Sequence, residues 1–437
     1  MKKLLFLFSC LAFSMAFSQN FNKEKMNEFM NALEQHQKFM GSVAITQNGK
    51  MVYERAVGFA DADNQKKNTT DTRFRIGSIT KTFTATLVMK AVEENKLNLS
   101  DRLSLFYPEI KNAEKITIEQ LLNHRSGIYN ITDLPDYLSW NQNAMTNQEM
   151  VAKIKSSGTD FEPGTKFSYS NSGYILLGYI LEKVYKKSYA ELLEQKITKS
   201  LGLKNTYYGG KINPQKMEAF SYTLETPMKK SEETDLSIPA AAGAMISTSA
   251  DLLKFIEDLF NHKIISEKSL SQMITMTDNY GFGIFRVPFY NTSGFGHNGG
   301  IDGFTSALYY FPELKTGYVM LSNGTAFDNN QITIAAMSLA TGTNIEIPNF
   351  TAANVDPATL QKYAGTYSST QLPIKIEVRE KNGQLFAQAT GQGEFPLQAK
   401  SENTFTFDTA GIKLDFDSDK KTMKLLQGGM EFLFTKE

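Results

Sequence analysis

Apolar and polar positions alternate over residues 42–58 on both sides of Asn48-Gly49. That pattern predicts two antiparallel strands joined by a two-residue turn. Just upstream, Met26, Phe29, Met30 and Leu33 recur at helical spacing within 21–39, predicting a helix that packs on the hairpin. A second helix is predicted from Ser78 through Phe83, Leu87, Val88, Ala91 and Val92 to Asn95, with Gly77 just ahead of it. Ser78 then stands at a helix N-terminus. Helical patterns follow at 117–123, 148–154, 173–185, 189–197 and 250–260, the last behind a Thr248-x-x-Asp251 capping box. Strand character returns at 281–287, 304–311 and 316–322, and a final helix is predicted at 329–340. Strands at both ends of a helical middle imply one sheet closed by distant segments, so 42–340 reads as a single α/β unit with a helical lobe over one end of the sheet.

A different pattern starts near the C-terminus. Residues 341–356 carry Gly, Asn and Pro without periodicity, and 346–356 reads as a linker. Beyond it, Ile374-x-Ile376-x-Val378, Asn382-Gly383, Leu385-x-Ala387, Phe405-x-Phe407, Ile412-x-Leu414-x-Phe416 and Phe432-x-Phe434 are short alternating strands. They predict a small antiparallel β-domain, a sandwich or barrel, over 357–437.

The N-terminus changes the picture of where the protein works. Lys2-Lys3, an apolar run from Leu4 to Phe17 and the small residues of Ala16-Phe17-Ser18 have the three regions of a secretory signal peptide, with a cut before Gln19. The run is shorter than a bilayer span, which favours export, to a periplasm or the exterior, over a transmembrane anchor. The sole cysteine, Cys10, lies inside this segment. The mature chain therefore has no disulfide and no cysteine metal site. Lipid attachment at Cys10 is the rival reading, disfavoured because the apolar stretch before it is very short. Lys plus Arg and Asp plus Glu number 46 each, so no global field attracts nucleic acid. The expected partner is a small-molecule or peptide acyl substrate.

Three segments carry candidate chemistry. In Ser78-Ile79-Thr80-Lys81, residues three apart share a helix face, which sets the Lys81 amine beside the Ser78 hydroxyl. A serine hydroxyl needs a neighbour to remove its proton, and a desolvated lysine can do so. An isolated Ser-x-x-Lys is usually a helix cap with an exposed lysine. The second segment, 161–171, is a turn at Pro163-Gly164 followed by an extended stretch that delivers Tyr169 and Asn171 ahead of a helix. A tyrosine beside a lysine can be anionic or relay a proton, and an asparagine amide can hold a carbonyl; equally, Tyr169 can be a packed aromatic and Asn171 a cap. In the third, Gly296-His297-Asn298-Gly299-Gly300, glycines let backbone approach a ligand, and a histidine such as His297 could assist proton transfer near neutral pH. A lone histidine in a glycine-rich turn is more often structural.

In this order the three segments resemble the serine β-lactamase and penicillin-binding-protein superfamily, in the branch of class C β-lactamases, DD-carboxypeptidases and related esterases. The resemblance spans about residues 25–345 and extends to Leu121-Leu122-Asn123-His124-Arg125-Ser126-Gly127-Ile128, to Pro163-Gly164, and from Ala242-Gly243 to Asp251. It implies a three-layer sandwich of an antiparallel sheet and helices over 19–345. It also implies Ser78 as nucleophile, Lys81 as base, Tyr169 as proton relay, His297 as the third-motif residue and Asn171 as a substrate contact. His297-Asn298-Gly299 would form that motif, with Gly300 supplying an oxyanion-hole N–H beside that of Ser78. Where class C β-lactamases carry Lys-Thr-Gly, this chain has a histidine, which removes a cation suited to a β-lactam carboxylate.

Other chemistries lack their motifs. No Gly-x-Ser-x-Gly, phosphate loop, Gly-x-Gly-x-x-Gly or His-Glu-x-x-His occurs. His36, His124 and His262 are not at metal spacing and read as surface or core, His124 as a turn residue behind the site. The expectation is acyl transfer to water through Ser78 without cofactor or metal, on a D-amino-acid peptide or amide, then a carboxylic ester, then a β-lactam. A non-catalytic binder that is acylated but never released is the alternative of another class.

Overall fold

The computed structural model of the chain describes residues 21–225 and 227–437. The expected leader at 1–18 and its cut before Gln19 lie outside the described residues. The helix predicted ahead of the hairpin is α1 (Lys23–Gln35), and the hairpin is β1 (Phe39–Gln47) and β2 (Lys50–Val57). Asn48 and Gly49 have φ of 52° and 74°, the left-handed pair that matches the twist of the flanking strands.

Next comes α2 (Thr80–Glu93), then a helical lobe containing Ile118–Leu122, Asn147–Ser157, α3 (Asn171–Tyr185) and Tyr189–Leu193. The chain returns through α4 (Ser249–Phe260), β3 (Phe285–Phe289), β4 (Thr292–Ile301), β5 (Phe304–Phe311), β6 (Thr316–Thr325) and α5 (Asn329–Ala340). The six strands form one antiparallel sheet in the order β3-β4-β5-β6-β1-β2. First and last segments of the unit thus meet at its centre, where β1 pairs with β6.

Alternation along the central strands makes this a three-layer structure. Val43, Ile45, Tyr309, Phe311, Tyr318 and Met320 pack on α1 and α5, whereas Ala44, Leu308, Tyr310, Val319 and Leu321 face the larger core shared with α2, α3 and α4. In that core the Phe83 and Phe255 rings stack with centroids 3.6 Å apart at 12°.

Two expectations are corrected. Residues 296–300, read as a glycine-rich turn, lie within the strand β4 (Thr292–Ile301); the glycines weaken the strand signal, and pairing with β5 along Phe295–Ile301 overrides it. The capping box at Thr248 is half formed. Thr248 accepts from the Asp251 N–H, but the Asp251 carboxylate turns away to the Asn205 N–H at 2.8 Å and the Thr206 hydroxyl at 2.9 Å.

The C-terminal strands are β7 (Gly365–Ser368), β8 (Lys375–Lys381), β9 (Gln384–Ala389), β10 (Phe395–Pro396), β11 (Gln398–Ala399), β12 (Thr404–Phe407), β13 (Ile412–Asp417), β14 (Thr422–Gln427) and β15 (Met430–Lys436). Their order is β10-β9-β8-β7-β15-β14-β13-β12-β11, and the two end strands flank Leu397. The sheet therefore curls until both edges meet at one stretch of chain, a nearly closed barrel. The helix α6 (Pro357–Tyr363) adds Leu360 and Tyr363 to the barrel core, where Tyr363 stacks on Phe416 at 4.6 Å. Ahead of it, the irregular stretch 346–356 is tied down: Phe350 is buried between His36 and Phe327.

The stacked pair in the large core yields a stability test. Phe83→Ala removes a fully buried ring and is expected to destabilise the protein by about 3–5 kcal/mol, read from denaturant unfolding followed by circular dichroism.

Candidate active site

Ser78 lies in a 3-10 turn, Gly77–Ile79, immediately before α2 rather than within the α-helix itself. The turn is laid directly on β4. Gly77 has φ +50°, and a Cβ there would sit 2.7 Å from the Gly300 nitrogen. A Cβ on Gly299 would sit 2.1 Å from the Ile76 carbonyl oxygen, which also accepts from the Ser306 hydroxyl at 2.9 Å. At both positions only glycine lets the two backbones approach so closely. Strand β3 pairs with β4 from Thr292 to Gly296 and then stops. From His297 onward, among the described residues, no further strand pairs with that edge, and Gly300 is exposed.

One helical turn after Ser78, Lys81 is fully buried. Its Nζ lies 2.9 Å from Ser78 Oγ, 2.7 Å from Asn171 Oδ1 and 2.8 Å from the Ala242 carbonyl oxygen. Among the described residues no carboxylate lies within ion-pair distance of it. Burial without a counter-charge pushes its pKa well below the usual lysine value. A neutral amine has two N–H donors and one lone pair. In that form the Ala242 and Asn171 oxygens take the donors and the lone pair is left for the Ser78 O–H, whereas the protonated form donates to all three oxygens. Asn171 is fixed in this orientation because its Nδ2 donates to Asn130 Oδ1 at 3.2 Å and Thr132 Oγ1 at 3.1 Å.

The ring of Tyr169 lies with its centroid 4.8 Å from Lys81 Nζ. Its hydroxyl is hydrogen-bonded to Ser78, yet burial dominates and raises the phenol pKa above its ordinary value. Tyr169 is therefore held as a neutral phenol beside the buried amine. Burial disfavours the anionic form weighed from sequence.

His297 points into the protein. Its Nδ1 lies 2.5 Å from the Asn298 carbonyl oxygen, an acceptor, so Nδ1 carries the proton and Nε2 accepts from the Tyr280 hydroxyl at 2.9 Å. Burial, reinforced by Lys81, pushes its pKa down to about 3, so the ring is neutral at physiological pH. The Asn298 side chain accepts from the Tyr309 hydroxyl.

The structure thus brings Ser78, Lys81, Tyr169 and Asn171 into direct contact, sets Gly299 and Gly300 against the turn that carries Ser78, and places His297 behind Tyr169 with ring centroids 6.2 Å apart. Sequence reasoning missed the Ala242 carbonyl, the Asn130 and Thr132 side chains that orient Asn171, and Tyr280. A backbone carbonyl carries no sequence signal. It also missed why α2 tolerates threonine at every second position from Thr80 to Thr86. Those hydroxyls are buried and satisfied: Thr80 accepts from the Met245 N–H, while Thr82 donates to the Gly283 carbonyl, Thr84 to that of Ala241 and Thr86 to that of Thr82.

A serine at the head of a buried helix, laid against an antiparallel sheet with helices on both faces, defines a serine hydrolase of the β-lactamase and penicillin-binding-protein type. The chain belongs to the Beta-lactamase family, whose model matches residues 26–341. It is 26% identical to Penicillin-binding protein 4* of Bacillus subtilis (strain 168), across 94% of this chain and 98% of that one. It is 29% identical to the teichoic acid D-alanine hydrolase of Staphylococcus aureus, across 68% and 72%. The D-amino acid amidase from Ochrobactrum anthropi SV3, complexed with L-phenylalanine amide, superposes with a TM-score of 0.65 at 26% identity, covering 73% of this chain and 99% of its own. Among the described residues no helix is long and apolar enough to cross a membrane.

The buried imidazole predicts an acid-sensitive fold. Between pH 6.5 and about 3 the unfolded chain binds a proton at His297 that the folded protein does not, so stability falls as pH is lowered through this window. The slope is about 1.4 kcal/mol per pH unit from this residue. His297→Gln is expected to flatten it, as measured by urea unfolding midpoints across the same range.

Proposed function

We propose that this protein is an exported serine hydrolase that forms an acyl-enzyme on Ser78 and acts on D-amino-acid amides, peptides or esters. The observation that carries the mechanism is the buried Lys81 amine, whose Nζ lies 2.9 Å from Ser78 Oγ with the Asn171 and Ala242 oxygens placed to take two protons; burial favours its neutral form, which leaves a lone pair for Ser78. In the acylation step the Ser78 proton passes to Lys81, and Oγ forms a bond to the acyl carbon. The oxyanion is held by the N–H groups of Ser78 and Gly300, a type of contact worth about 3 kcal/mol per donor. Tyr169, a neutral phenol, gives its proton to the leaving nitrogen or oxygen as the acyl bond breaks and regains one from Lys81. Water then attacks the ester, its proton follows the same route in reverse, and Ser78 is regenerated.

Asn171, whose amide N–H groups are both taken by Asn130 and Thr132, would act on the substrate indirectly by keeping Lys81 in place, and Gly299 would let β4 lie against the Ser78 turn. His297, neutral and bonded to Tyr280, supports the wall behind Tyr169 rather than exchanging protons. A neutral histidine at this position offers no cation to a free carboxylate, which favours amide and ester donors over β-lactams. D-amino-acid chemistry is supported by the relatives named for D-alanine and D-amino acid amide hydrolysis. Export is supported by Lys2-Lys3 and the apolar run from Leu4 to Phe17.

Intact-protein mass spectrometry after treatment with a fluorophosphonate is expected to show one adduct on the wild type and none on Ser78→Ala. The mutant should lose activity with its melting temperature nearly unchanged; equal activity in both would sink the mechanism. A persistent penicillin adduct would move the reading toward a penicillin-recognising enzyme.

A further inference from the structure

Two hydrogen bonds bracket Tyr169, and both end on one residue. The Ser168 N–H donates to the His124 carbonyl oxygen at 3.0 Å, and the Ser170 N–H donates to His124 Nδ1 at 3.1 Å. Between them the imidazole lies over the Tyr169 ring, with centroids 4.3 Å apart and planes at 38°. His124 is 1% exposed and has φ 58°, a left-handed backbone that turns its carbonyl and its ring toward the same extended segment. Because Nδ1 accepts, the proton is on Nε2, which has no hydrogen-bond partner among the described residues. A buried imidazole N–H without a partner is costly, so the ring is kept there by what Nδ1 and the stacked face do.

The neighbouring backbone continues the same grip. Arg125 exchanges hydrogen bonds with Gly164, its carbonyl accepting from the Gly164 N–H at 2.8 Å and its guanidinium donating to the Gly164 carbonyl at 2.7 Å; the Gly127 carbonyl accepts from the Asp160 N–H at 2.8 Å. The 124–127 segment therefore lies along the stretch that leads to Tyr169, and His124 is its last contact before the phenol.

We propose that His124 is a positioning residue that clamps the Ser168–Ser170 backbone and stacks on the Tyr169 ring, holding the phenol against Ser78 and Lys81. This deepens the proposed mechanism and rests on the reading of Tyr169 as the proton relay. His124 touches no reacting atom, so its effect on turnover must run through Tyr169. Glycine and asparagine both tolerate the left-handed backbone at this position. Glycine removes the Nδ1 acceptor and the stacked face; asparagine keeps an acceptor near the Nδ1 position.

The test is a double-mutant cycle on the full chain, with kcat and KM measured for p-nitrophenyl acetate hydrolysis and melting temperatures recorded alongside. His124→Gly is expected to lower kcat about 10- to 100-fold, the scale of a displaced catalytic group, with KM little changed. His124→Asn should recover most of that loss. The deciding comparison is His124→Gly in a Tyr169→Phe background, where no further loss in kcat is expected. The same fold loss in both backgrounds, or an unaffected kcat in His124→Gly, would overturn the proposal. Full activity of Tyr169→Phe alone would overturn the relay reading and this inference with it, whereas additive losses overturn only the role of His124. If the glycine variant does not fold, His124→Asn carries the cycle, and its smaller loss must likewise vanish without the phenol.

Discussion

Burying the amine of Lys81 without a carboxylate is the constraint around which the catalytic domain is arranged. An ammonium moved into the core alone would cost several kcal/mol, and burial correspondingly shifts the group toward its neutral form. Its two protons then need acceptors, and these come from far along the chain: Asn171 from the start of α3 and the carbonyl of Ala242 from the segment ahead of α4. Each acceptor has its own support. Asn130 and Thr132 fix the Asn171 amide, and Thr84 on α2 donates to the carbonyl of Ala241, next to Ala242. The same contacts that hold the lobe against α2 therefore hold the lone pair of Lys81 toward Ser78.

Close backbone approach is the second requirement. Gly77 and Gly299 leave no side chain between the Ser78 turn and β4, and the end of β3 pairing at Gly296 leaves that edge open. The pair of N–H groups proposed for the oxyanion depends on this contact. A short ion pair anchors it from beneath: the buried Arg75, three residues before Ser78, binds Asp302 at 2.8 Å just beyond the end of β4. Behind Tyr169 the histidines are buried and their pKa values pushed down, so the wall of the site is aromatic and uncharged.

The barrel is attached to the opposite face of the sheet from α2. Asp408 receives Lys38 at 3.3 Å and its carbonyl accepts from the Asp328 N–H at 2.9 Å, while Phe350 packs between His36 and Phe327. These contacts involve α1, the start of α5 and the connecting stretch, and none of them involves Ser78, Lys81 or Tyr169.

The amphipathic spacing of α1, the Asn48-Gly49 turn, the alternation in β5 and β6 and the short strands after residue 374 were legible because each is a local pattern of period 2 or 3.6, set by which face is buried. The three-residue spacing of Ser78 and Lys81 was legible for the same reason. Strand β4 was not, since its glycines carry no propensity and it is held by pairing with residues far along the chain. Nor could the sequence decide which way His297 points, that Tyr169 is a neutral phenol, or that His124 grips the residues on either side of it. Protonation state and orientation depend on desolvation and on partners supplied by distant segments, among them the Ala242 carbonyl and the Tyr280 hydroxyl. Such partners exist only once the chain has folded, and so the chain's elements and its candidate residues came from sequence, while their charge state and mutual geometry were decided by tertiary structure alone.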